Sequence, residues 1–233
     1  MRVSTRFLSI LFCCLIASAL PPGYKGKPFK DQHYQAGAQV IPGTVELALY
    51  DLGGEGVAYH DTDPENQGSI HNHATVSWPK ESKNGVPTKM CRPGTPEYVC
   101  FFREKEGVDV SYLRDITDFA HHTNMFEPKK DQHYIGWEEE GEWANYTVNV
   151  KAAGVYTIKV LYSFKPLEVS LSLENKPAAT CKLPVHTESM HRWNKAECGE
   201  ITFPSTGLQL LTVHFRKGIN LASFEFVPKS VKK

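Results

Sequence analysis

Trp143-Ala144-Asn145-Tyr146-Thr147-Val148-Asn149-Val150 is the stretch that decides how the rest of this chain is read. Tyr146, Val148 and Val150 fall on one face, and Asn145, Thr147 and Asn149 on the other. That period of two belongs to a half-buried strand and not to a helix. Ala153-Gly154 supplies a turn, after which Tyr156, Ile158, Val160 and Tyr162 alternate with Thr157, Lys159 and Leu161. Leu167, Val169, Leu171 and Leu173 then alternate with Glu168, Ser170, Ser172 and Glu174. Ser205-Thr206-Gly207 marks a turn before Leu208 to Phe215, and Ile219 to Val227 closes the series. Upstream, Thr44 to Tyr50 is the first strong strand, and Tyr98 to Arg103 and Gly107 to Tyr112 are the best strand candidates in a loop-rich stretch. No segment longer than about eight residues carries a helical period. Short strands with regular turn signals predict an all-β fold, a jelly-roll β-sandwich of two antiparallel sheets.

The ends of the chain read differently. Arg2 and Arg6, the apolar run Phe7 to Ile16 and Ala17-Ser18-Ala19 have the layout of a secretory signal peptide over residues 1–19. The run is too short for a span of about 20 residues, and nothing later is long and apolar enough to cross a membrane. Residues 20–40, rich in Gly, Pro and Lys, read as an extended arm. Residues 41–228 form the sandwich, with a disulfide-bearing insertion near 69–102. Beyond the signal four cysteines remain, Cys91, Cys100, Cys181 and Cys198. In an exported chain they read as disulfides, with three possible connectivities. The local pairs Cys91–Cys100 and Cys181–Cys198 close the shortest loops. The chain is predicted to be secreted, extracellular or periplasmic.

Charge excludes one class of partner. The chain has 26 basic and 26 acidic residues, and without Arg2 and Arg6 the basic count is 24. That balance gives no general electrostatic grip on nucleic acid. Asn145-Tyr146-Thr147 is a glycosylation sequon if the source is eukaryotic.

Several strings recur in a known order. Ile41-Pro42-Gly43-Thr44-Val45-Glu46 is followed by Tyr50 to Asp63, then Glu106-Gly107-Val108-Asp109, Tyr134-Ile135-Gly136-Trp137, Gly141-Glu142-Trp143 and Asn220-Leu221-Ala222-Ser223-Phe224-Glu225-Phe226. Together they resemble the family 6 carbohydrate-binding modules, which have a galactose-binding-like β-sandwich, over about residues 41–227. The resemblance implies non-catalytic binding of polysaccharide or glycan in loops at one end of the sandwich. Trp137 matches the family's stacking aromatic, and Asn220 its hydrogen-bonding asparagine. Met190 stands where a second aromatic is usual. Of the family's structural calcium ligands, Glu46 matches the first, whereas Ala48 and Ala222 occupy the other carboxylate positions. The implied cofactor list is therefore empty.

The residues support a sugar site on their own terms. A sugar ring needs a flat aromatic face with polar groups around it. Trp137 lies in a polar loop, and Tyr59, in the Glu55 to Asp63 loop, is a second candidate face. Trp143 reads as scaffold, and Trp193 as core or rim. Glu138, Glu139, Glu140 and Glu142 read as a solvated acidic face. The alternative is a glycan hydrolase using two of these carboxyls. His71-Asn72-His73 and Asp61-x-Asp63 are candidate metal ligands without a recognised motif. A third possibility is a surface interaction protein that keeps the sandwich but binds no sugar, to which Met190 points.

Overall fold

The computed structural model describes residues 20–76, 88–89, 91, 94–113 and 124–229. The segment read as a signal peptide lies outside them, as do His121 and His122.

In chain order the strands are β1 (Gln39–Ile41), β2 (Gly43–Glu46) and β3 (Tyr59–His60), then, after a short helix α1 (Gln67–His73), β4 (Thr75–Val76) and β5 (Thr88–Lys89). Helix α2 (Glu97–Cys100) is followed by β6 (Val110–Tyr112), β7 (His133–Ile135), β8 (Trp143–Val150) and β9 (Gly154–Phe164). The last five are β10 (Glu168–Leu173), β11 (Lys176–Lys182), β12 (Trp193–Phe203), β13 (Gly207–His214) and β14 (Ile219–Pro228). One six-stranded sheet runs β1-β8-β13-β10-β11 with β3 also on β8. The other runs β12-β9-β14-β7-β6 with β2 also on β14. The fold is an all-β sandwich of these two sheets, antiparallel except for the β1–β8 pair.

The two inner faces meet over Tyr146, Val148, Tyr162, Phe203, Phe224 and Phe226, all at most 1% exposed. Alternation puts those side chains on the inside. The polar face of β8 is covered too. Buried Asp51 accepts from the Thr147 amide (2.8 Å) and hydroxyl (2.6 Å), and from the Tyr24 hydroxyl at 2.7 Å. The arm is thus docked on the sandwich rather than free of it: Lys27 bridges Leu52, and Phe29 packs edge-on against Phe102 at 5.3 Å. Asn145 of the sequon is 6% exposed. It donates to the Val57 carbonyl at 2.9 Å and accepts from Thr212 at 2.6 Å, so in the folded state its amide is sealed.

The cysteines pair as Cys91–Cys100 and Cys181–Cys198. The second bond joins β11 of one sheet to β12 of the other, closing the sandwich along one edge. Two local readings need correction. Tyr98 to Arg103 is a helix end and turn, not a strand: Pro96 opens one helical turn, with the Val99 and Cys100 amides on its carbonyl. Thr44 to Tyr50 is a strand only as far as Glu46, and Leu47–Leu49 form a 3₁₀ turn. Strands β11 and β12 carry no clean apolar alternation. In β12 a bulge between Glu197 and Gly199 shifts the phase, so that Cys198, Ile201 and Phe203 all turn inward.

Candidate functional site

Pairing of β7 with β14, through Ile135 and Leu221, brings the Trp137 loop beside Asn220. At Gly136 any Cβ would collide with the Asn220 side-chain oxygen, so only glycine lets the two segments approach this closely. The next residue, Trp137, has φ +61°. A non-glycine residue in that region costs about 1–2 kcal/mol, and such strain gathers at functional positions. The result is an indole that is 42% exposed. Its inner side is backed by Tyr134, nearly parallel at 6.3 Å. Tyr134 in turn packs on buried Trp193 at 5.4 Å. Trp193 is core.

A groove of about 410 Å³ opens beside the indole, lined among others by His71, Met190, His191, Lys217 and Asn220. The His71 ring lies 5.7 Å from that of Trp137. Met190, 51% exposed, stands at the rim. Asn220 is only 7% exposed. Its amide hydrogens go to the Met190 carbonyl (2.6 Å) and the Ser163 hydroxyl (3.3 Å). That fixes the Met190 loop and leaves the Asn220 oxygen as the atom that could accept from a ligand.

Other candidates go elsewhere. Tyr59 offers no open face, a correction to its reading as a stacking residue. It is 6% exposed, edge-on to Tyr50 at 5.5 Å, and its hydroxyl accepts from the Gly107 amide at 3.2 Å. The glycine-rich turn that made it look exposed folds it under Gly107. Trp143 is half-buried on the outer face of its sheet, above a shallow depression lined by Asn145, Ser172, Thr212 and His214. Glu46 accepts from Gln132 at 2.7 Å and pairs with Lys129 at 3.5 Å, while Ala48 and Ala222 are buried. His71 and His73 do not converge. Two residues apart on a helix they point to opposite sides, and His73 instead stacks on Phe101 at 4.0 Å and pairs with Glu104 at 3.2 Å.

The acidic run is the largest correction. Glu139 and Glu140 do face solvent, paired with Lys217 and Arg216. Glu138 and Glu142, in contrast, are each only 2% exposed. Glu142 accepts from the Thr62 amide (2.9 Å) and hydroxyl (2.5 Å) and from the Glu139 amide (2.7 Å). Burial works to raise its pKa, but these hydrogen bonds outweigh it and hold the carboxyl below its usual value. Burial, reinforced by Glu142, pushes Glu138 well above the ordinary range. Desolvation likewise lifts Asp61 to about 7 and Asp109 to about 8. A hydrolytic pair must flank a substrate bond; Glu138 borders the groove beside Trp137 but is 2% exposed.

No family model and no curated protein matches the chain. Solved structures do. A family 6 module from Clostridium stercorarium in complex with cellobiose is 11% identical, at TM-score 0.41, over 83% of this chain and 99% of that one. A β-1,3-glucan-binding module from Bacillus halodurans is 18% identical, at TM-score 0.36, over 41% and 76%. A module of Cellvibrio mixtus lichenase 5A in complex with cellotriose is 16% identical, at TM-score 0.38, over 53% and 98%. These are partial similarities of chain path, and no ligand follows from them.

Sequence reasoning missed Tyr134 as the backing ring and the buried acidic pair. The first had a signal, since Tyr134 lies three residues before Trp137. The second had none, because four acids in five residues read as surface.

Proposed function

We propose that this chain is a secreted, non-catalytic binder of extracellular polysaccharide, exported by the segment 1–19 and holding sugar in the groove beside Trp137. The observation that carries the reading is the half-exposed indole, held at positive φ against Tyr134 and set among an amide oxygen, imidazoles and an ammonium group. A sugar laid on that ring would cover its apolar face and meet hydrogen-bonding groups at its edge. Covering the indole would contribute about 1.5–3 kcal/mol. One aromatic face with one committed amide suits a dissociation constant of about mM to µM. Both disulfides fit an oxidising compartment. Among the described residues no helix is long and apolar enough to cross a membrane.

The test is retention on a panel of insoluble glucans and xylans, with Trp137→Ala as the variant. Retention should be lost while the near-ultraviolet dichroism of the buried aromatics is kept. Undiminished retention by folded Trp137→Ala would remove the site. No retention of the wild-type chain on any glycan would favour a surface interaction role.

A further inference from the structure

Pairing of Tyr59 with Ala144 and of His60 with Trp143 carries the loop after β3 onto the loop before β8. Gly107 adds to the closeness: a Cβ there would sit 2.9 Å from the Asp63 carbonyl and 3.0 Å from the Asp61 Cβ. Oxygens of Asp61, Glu138 and Glu142 thereby come within 4.8 Å of one another. Glu142 is held by three donors, as described above. Among the described residues Asp61 accepts only the Asp63 amide, at 2.9 Å. Glu138 is different: its Oε1 is buried and takes no hydrogen bond from any of the described residues. A buried carboxylate oxygen without a donor is a costly arrangement unless something else meets it.

Carboxylates crowd this cluster, and the exposed His60 imidazole, hydrogen-bonded to Glu55 at 2.6 Å, feels the charges of Glu142 and Asp61. The groups whose charge acts on Asp61, Asp109 and Glu138 are other carboxylates, among them Glu142, Asp63 and Glu55. Arg216 and Lys217 pair with Glu140 and Glu139 instead. We infer that Asp61, Glu138 and Glu142 form a binding site for one hard divalent cation, calcium, beneath the Trp137 loop. The donor set is all oxygen, as calcium, magnesium and manganese prefer. All three oxygens lie within 4.8 Å of one another, inside the span of one coordination sphere. Calcium accepts several protein carboxylates in flexible geometry, whereas magnesium keeps its waters and is rarely held by an all-protein cage. Three carboxylates, some bidentate, with waters complete its coordination. The site is separate from Glu46, whose carboxylate is held by Gln132 and Lys129.

Its occupation tethers Asp61, from the loop after β3, to both ends of the Glu138–Glu142 turn. The experiment uses the whole folded protein, stripped with a chelator and titrated calorimetrically with calcium chloride alone, then with magnesium chloride. One calcium should bind per chain, more tightly than magnesium. The thermal midpoint should rise by roughly 5–10 °C at 100 times the dissociation constant. Glu138→Gln and, as a second variant on a more exposed position, Asp61→Asn should each weaken binding at least about tenfold. Glu139→Gln, on the solvent side, should bind as wild type does. Absence of calcium binding by the wild type would overturn the inference and leave a proton shared between Glu138 and Glu142. Binding undiminished in both Glu138→Gln and Asp61→Asn would overturn it equally, placing the ion on surface acids.

Discussion

Arg103 and Glu138 are both charged side chains taken out of water, and the protein treats them in opposite ways. The Arg103 side chain is 3% exposed and pairs with Glu106 at 2.8 Å. It also donates to the carbonyls of Tyr50 and Asp51, and its guanidinium lies 3.3 Å from the centre of the Tyr50 ring. Every demand of that cation is met within the chain. Glu138 has other carboxylates for neighbours and an oxygen with no donor. A buried charge must be paired or must neutralise. The turn after α2 supplies its own counter-charge, whereas the loop under Trp137 leaves that role to a proton or a cation from outside. The first arrangement fastens the insertion to the core. The second makes the loop's state depend on what is in solution.

The largest effect should come from breaking the satisfied pair. Arg103→Met keeps most of the stem but strands Glu106 and two carbonyls, and should lower unfolding free energy by about 3–5 kcal/mol in denaturant titrations. A loss below about 1 kcal/mol would mean that the pair is no better met than the acidic cluster.

His133 shows a third treatment, burial in the neutral form. Its Nε2–H donates to the Val99 carbonyl at 2.9 Å, and Nδ1 lies 3.4 Å from the Tyr34 hydroxyl. Desolvation lowers its pKa to about 4, partly opposed by the Val99 hydrogen bond. The unfolded chain takes up this proton near 6.5 and the native protein only near 4. Within that window the unfolded state binds more protons, so stability rises with pH. The full benefit is present above the upper value and is lost as pH falls to the lower one, on the order of 3 kcal/mol in all. Nuclear magnetic resonance of the imidazole should show no titration near 6.5, and a midpoint there would refute the buried neutral state.

The smallest effect has the opposite sign. In chelator, Glu138→Gln replaces a carboxyl that burial drives to its protonated form by an amide that cannot ionise beside Glu142, and should leave the unfolding free energy unchanged or raised by about 1 kcal/mol at most. If it destabilises as strongly as Arg103→Met under those conditions, the contrast between the two regions fails.

Much of the framework was readable from alternation. Strands β8, β9 and β10 show a period of two because each buries one face against the opposite sheet, whereas β14 shifts phase at its own bulge between Leu221 and Ser223. Strand β12 escaped because its bulge resets the phase at Cys198, and α2 because one helical turn is too short to show a period. Trp137 and Tyr59 looked alike in sequence, two aromatics in polar turns. One is open and one is sealed, since exposure depends on which other segment covers the loop.

What the sequence determined by itself is therefore the sandwich, the local pairing of the four cysteines and the polar setting of Trp137, all consequences of residue period, short loop closure and neighbouring side chains. Only the tertiary structure decided that Asn220 spends its amide hydrogens on the Met190 loop, that Tyr59 lies under Gly107, and that Asp61 meets Glu138 and Glu142. Each of those outcomes joins residues far apart in the chain. Burial, hydrogen bonding and charge at such junctions depend on distances that no local pattern of residues encodes.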